Sequence, residues 1–116
     1  MKVQISTDGN IRGHEKMTDK VKWEVEESLS PISDRITRVE VHLSDTGGRK
    51  HGVHDTRCVM EARLEGRPPI AVTHKAAILD QAVEGAMDKL TRKIENTLGR
   101  LNAQRSRRTD PPETAL

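Results

Sequence analysis

The sequence predicts an α+β fold in two layers, a four-stranded mixed sheet with two helices packed on one face. Three observations carry this. Four short segments alternate apolar and polar residues with the period of a half-buried strand. Two longer segments carry a single apolar stripe at helical spacing. Their order is strand, helix, three strands, helix, and one apolar face per element is most economically buried with both helices on the same side of the sheet. A helical crossover makes the first two strands a parallel pair if they are neighbours, and the short connections make the remaining pairings antiparallel.

Taken in order, Val3 and Ile5 alternate with Lys2, Gln4 and Ser6 in the first strand, which the turn signal Asp8-Gly9-Asn10 closes. A helix is expected over 15–29, where Met17, Val21, Val25 and Leu29 recur every fourth residue. Ser30-Pro31 ends it, because the residue before a proline is pushed out of helical geometry. Trp23 falls opposite that stripe, where it either packs on the stems of Lys16, Lys20 or Glu27 or marks a contact surface. Over 36–44, Val39, Val41 and Leu43 face one way and Arg38, Glu40, His42 and Ser44 the other. A glycine-rich polar loop over 45–52 follows.

The third strand places Cys58, Met60, Ala62 and Leu64 on one apolar face. A hairpin connection through Gly66 and Pro68-Pro69 leads to a short fourth strand over 70–74. The long helix is expected over 75–101. At ~100° per residue its apolar stripe is Leu79, Val83, Ala86, Met87, Leu90, Ile94, Leu98 and Leu101. The folded domain is thus 1–101. Residues 102–116, with Arg105, Arg107, Arg108 and Pro111-Pro112 but almost nothing apolar to dock, read as a frayed helix end and a disordered tail.

Composition narrows the chemistry. One Trp and no Tyr or Phe make the core aliphatic, and they deny the sheet a paired aromatic platform on which single-stranded bases stack. No apolar run reaches bilayer length and the N-terminus has no hydrophobic secretory region, so a cytoplasmic protein with no membrane partner is expected. The single Cys58 cannot form an internal disulfide, in keeping with a reducing compartment.

A net charge of +2 says little, but its distribution says more. Acids and bases balance over residues 1–74, whereas Lys89, Arg92, Lys93, Arg100, Arg105, Arg107 and Arg108 face only Glu95 over residues 89–108. On the long helix Lys75, Lys89, Arg92, Lys93 and Arg100 share one strip, and Asp80, Glu84, Asp88 and Glu95 another. A helix that needs only solubility mixes its signs to gain i,i+4 pairs. Separated signs point the basic strip at an anionic partner, since the helix dipole favours cations only near the last turn and does not account for Lys89.

Two strings carry a resemblance. Asp34-Arg35-Ile36 leads into the alternating strand 38–44, and Gln81-Ala82-Val83 runs into Asp88-Lys89-Leu90 with Arg92 two positions on. Together they resemble the ribosome hibernation-promoting factor family, also called ribosome-associated translation inhibitors, ribosomal subunit interface proteins or sigma-54 modulation proteins. The resemblance spans about 1–101 and implies a βαβββα domain similar to double-stranded-RNA-binding domains. It implies a non-enzymatic factor, without cofactor or small-molecule substrate, that binds small-subunit ribosomal RNA in the messenger and transfer RNA channel. Such a factor inhibits translation or stabilises idle ribosomes under stress, and off the ribosome it is expected to be a monomer. Without the C-terminal domain of long members, the chain reads as a short form.

Lysines and arginines on a rigid scaffold suit folded RNA, which is recognised through phosphates and shape. The RNA contacts expected are Lys89, Arg92 and Lys93, extended by Lys75 and Arg100, with Lys20 and Lys22 from the first helix. Arg35 and Arg38 either join them or pair with Asp34 and Glu40. The family's first helix is more basic, whereas this one carries Glu24, Glu26 and Glu27, which repel phosphate.

Two other classes remain. The basic helix and exposed sheet face also suit a protein-binding adaptor. His51, His54, Asp55 and Cys58 offer zinc donors, but Cys58 belongs to the apolar alternation and no second cysteine completes a conventional site. His14, His42 and His74 read as surface or strand-edge residues, and Gly47-Gly48 lacks the Lys-Ser/Thr ending of a phosphate loop.

Overall fold

The computed structural model describes residues 1–8, 14–45 and 56–109, with side chains over 1–8, 15–45 and 56–99. Its elements are β1 (Lys2–Thr7), α1 (His14–Leu29), a 3-10 helix (Ser30–Arg35), β2 (Ile36–Asp45), β3 (Thr56–Leu64), β4 (Ile70–Ala76) and α2 (Leu79–Thr109). The sheet order is β1-β2-β3-β4. β1 and β2 run parallel, and the β2–β3 and β3–β4 pairs are antiparallel, as the connection lengths require. This is the two-layer α+β arrangement that the hydropathy pattern predicts.

The alternation decides which face is covered. Val39, Val41, Leu43, Cys58, Met60, Ala62 and Val72 are buried under the helices, while Arg57, Arg63, Ala71, Thr73 and Lys75 are exposed on the other face. α2 lies over β3 and β4, and α1 lies against β1 and touches α2. Val21, Val25 and Leu29 seal one helix to the sheet, and Val83, Ala86, Met87, Leu90 and Ile94 seal the other. Leu79 and Leu98 pack half-buried at the ends of that stripe. A register shift between Ile36 and Arg38 lets both obey the pattern although they are two residues apart. Ile36 is buried, Arg38 faces outward, and Thr37 donates its hydroxyl to the Arg63 carbonyl at 3.0 Å. Pro31 starts the 3-10 helix, which carries the chain from α1 into β2.

One boundary moves. β4 continues through Lys75 and Ala76, which pair with Arg57 and Thr56, so α2 begins at Leu79 rather than at residue 75. Lys75 has a helical phase with the basic strip, but the ladder along β3 supplies nonlocal hydrogen bonds that outweigh that local pattern. The loop 46–55, the turn 9–13 and the tail 110–116 lie outside the described residues.

Gly85 has a role that composition does not reveal. A Cβ at this position would stand 2.1 Å from Cδ2 of His74, so the missing side chain is what lets the imidazole lie between β4 and α2. Gly85→Ala is therefore expected to destabilise the fold. Overpacking costs roughly 1–3 kcal/mol, against a helix-propensity gain of about 1 kcal/mol. Urea unfolding should show a lower midpoint for Gly85→Ala and recovery in His74→Ala/Gly85→Ala. A midpoint that rises in Gly85→Ala alone contradicts the packing role.

Candidate nucleic-acid interface

The buried stripe of α2 fixes the rotation of the helix, and that rotation sends its two charged strips to different neighbours. Asp80, Glu84 and Asp88 point toward α1, where Lys20 Nζ meets Asp80 Oδ2 at 3.2 Å between two largely exposed side chains. Lys89 and Lys93 lie on the other flank, beside the sheet edge. Lys89 Nζ donates to the Thr73 carbonyl at 2.9 Å, and Lys93 Nζ reaches the Ala71 carbonyl more loosely at 3.4 Å. Both acceptors are on β4, the outermost strand, and charged side chains reaching an edge of this kind protect it from pairing with another chain.

An ammonium group has three donors, and one carbonyl engages only one of them. The carbonyl carries no formal charge, so each lysine keeps its positive charge while its position is defined. Lys89, Arg92 and Lys93 are all exposed, and among the described residues none has a carboxylate partner. Lys75 stands on the open sheet face, two residues from the carbonyl that holds Lys89. Its register partner Arg57 is exposed on the same face. The cationic surface thus wraps around the β4 edge instead of following the helix alone. Arg57 was not recognisable from the sequence, because only the β3–β4 register sets it beside Lys75.

The other expected contacts are placed differently. Arg38 is half-buried, with one guanidinium nitrogen shared between Glu40 Oε1 at 2.6 Å and Gln4 Oε1. Arg63, further along the open face, meets Glu61 at 3.3 Å. Lys22 is exposed on α1, and Arg35 is exposed in a shallow groove that Asp34 and Glu95 also line. The backbone at Arg100 is helical, but its side chain lies outside the described residues. The nine cations therefore do not form one site. Lys75, Lys89 and Lys93 lie around the β4 edge, Arg92 is exposed on α2 beside them, and Lys20 and Arg38 are held by carboxylates elsewhere.

The zinc donors His51, His54 and Asp55 lie outside the described residues. Cys58 is fully buried in the core, and loss of water pushes its thiol from 9.0 up to about 12. It is a protonated core residue, where a metal ligand needs a thiolate. Among the described residues, no group of three or more His, Cys, Asp or Glu is placed to hold a metal ion. Among the same residues no helix is long and apolar enough to cross a membrane.

These features define a small α+β binding domain whose chemistry lies on a charged surface. Residues 10–102 match the family described as Sigma 54 modulation protein / S30EA ribosomal protein, and the chain belongs to that family of ribosome-associated modulation factors. The fold is that of a ribosomal subunit interface protein from Coxiella burnetii, with a TM-score of 0.66 and 13% identity over 85% of this chain and 99% of that one. It is also that of the Thermus thermophilus Protein Y N-terminal domain, with a TM-score of 0.61 and 21% identity over 84% of this chain and 99% of that one. No curated protein sequence matches the chain.

Two outcomes follow from the geometry. Cys58, the sole cysteine, should stay unreactive toward a thiol reagent in the native protein even at pH 9 and react fully in urea; rapid native labelling would contradict its burial. Reversing Lys89, Arg92 and Lys93 to Glu should shift stability by no more than about 0.5 kcal/mol per site, as for surface positions. Truncating the neighbouring Leu90 to Ala should cost about 2–5 kcal/mol. Urea unfolding of both variants checks that the charged flank and the core stripe are separable.

Proposed function

We propose that this chain is a non-enzymatic ribosome-associated factor of the cytoplasm that binds small-subunit ribosomal RNA in the messenger and transfer RNA channel. In doing so it inhibits translation or stabilises idle ribosomes under stress. Family membership supports the association with ribosomes. The observation that carries the RNA contact is the exposed flank of α2, where Lys89 and Lys93 are positioned by neutral carbonyls and, with Arg92, are left without carboxylate partners among the described residues.

Such a flank suits a sugar-phosphate surface. Meeting a phosphate requires neither breaking an ion pair nor extracting a cation from the core, and the rigid sheet edge sets the spacing. Lys75 and Arg57 extend the contact around the edge, and Arg100 extends it along the helix. Lys22 and Arg35 are peripheral contacts. Lys20 and Arg38 contribute less, because each must first give up a carboxylate. Residues 1–101 form the binding domain, α2 carries on past it to Thr109, and off the ribosome the protein is a monomer.

The test is cosedimentation of the purified protein with small subunits across a salt series. Six phosphate contacts, from Lys75, Lys89, Arg92, Lys93, Arg57 and Arg100, should give a slope of log K against log salt of about −4 to −5. Lys89→Glu/Arg92→Glu/Lys93→Glu, folded by circular dichroism, should leave the ribosomal fractions. Undiminished cosedimentation of that folded variant rejects the assignment.

A further inference from the structure

We propose that the groove between α1 and α2 is a second binding surface, which takes an arginine-rich peptide segment of a protein partner. Trp23, Glu24 and Glu27 line it from α1, and Glu84, Met87 and Asp88 line it from α2, around a shallow space of about 300 Å³. The lining therefore holds four carboxylates and no cation. Its apolar surface comes from the indole, which is 61% exposed, and from Met87 at the base.

Each feature selects against other occupants. Four carboxylates repel the phosphates that the opposite flank of α2 attracts, so RNA does not suit this side. The same carboxylates are not placed to hold a metal ion, since no qualifying group of His, Cys, Asp or Glu occurs among the described residues. Charges spread along two helices instead match a row of cations on an extended chain. An exposed indole adds a face on which a guanidinium stacks, a contact that favours arginine over lysine. Trp23 is one of three large apolar side chains exposed among the described residues, and it is the one that lines a groove together with carboxylates.

The two flanks of α2 then have different partners: phosphate at the β4 edge, and a cationic polypeptide at the α1 side. Basic polypeptide segments are common beside nucleic acids, so both partners are compatible with one site of action. The peptide surface does not depend on the RNA reading, and the test keeps the two apart.

The experiment is fluorescence anisotropy of a labelled octa-arginine peptide titrated with the full chain at low salt, with octa-lysine as comparison. Octa-arginine should bind, more tightly than octa-lysine. Glu84→Gln/Asp88→Gln should weaken it by about tenfold, and Trp23→Ala by about two- to fivefold. Glu40→Gln/Glu61→Gln on the sheet face should leave it unchanged, and the Lys89→Glu/Arg92→Glu/Lys93→Glu variant, which removes the cations of the proposed RNA contact and adds negative charge, should not weaken it. Two results overturn the proposal: no binding at low salt, or binding that ignores the groove substitutions and follows the sheet-face ones.

Discussion

The rotation of α2 about its own axis is the constraint on which the charged surface depends. Five buried side chains, Val83, Ala86, Met87, Leu90 and Ile94, lock one stripe of the helix onto β3 and β4. Burying residues of this size stabilises the fold by roughly 1.5–3 kcal/mol each for the larger ones, far more than any surface charge interaction contributes. The core therefore sets the angle and the charges follow. Once the stripe is down, Lys89 and Lys93 can only lie beside the β4 edge, and Glu84 and Asp88 can only lie beside α1.

The edge of the sheet is the second half of the arrangement. An outer strand leaves alternate carbonyls without a neighbour, and two of those carbonyls accept from Lys89 and Lys93. Hydrogen bonds this exposed add little net stability, so their main effect is positional. They hold two long, flexible side chains near a fixed line without neutralising them. Lys20 and Arg38 illustrate the alternative, in which a carboxylate fixes the cation and cancels its charge. Two kinds of acceptor thus distinguish cations available to a partner from cations used by the fold.

Much of this was legible in the chain. Period-two and period-3.6 stripes located every strand and both helices, since an aliphatic core without tyrosine or phenylalanine leaves the hydropathy pattern uncluttered. The separation of signs on α2 could also be read, because it needs only helical geometry. What the sequence did not contain was register. Lys75 joins the helical strip by spacing, yet it belongs to β4 because β3 extends back to Thr56 and pairs with it. Arg57 enters the cationic surface by that same register. Gly85 reads as an ordinary weak point in a helix until His74 is found filling its space. The facing of Trp23 across to Met87, with carboxylates on both helices, required knowing how α1 and α2 pack.

One helix presents opposite charges to opposite neighbours, and the proposed RNA contact uses only the flank beside β4. Asn96→Cys falls on the Lys89–Lys93 flank by helical spacing, and Glu84→Cys falls on the acidic one. With native Cys58 buried, each variant accepts a photo-crosslinker at a single accessible thiol. Irradiation on small ribosomal subunits should join residue 96 to ribosomal RNA and leave residue 84 without RNA crosslinks. Equal crosslinking to RNA from both positions, or RNA crosslinks from residue 84 alone, would contradict the account.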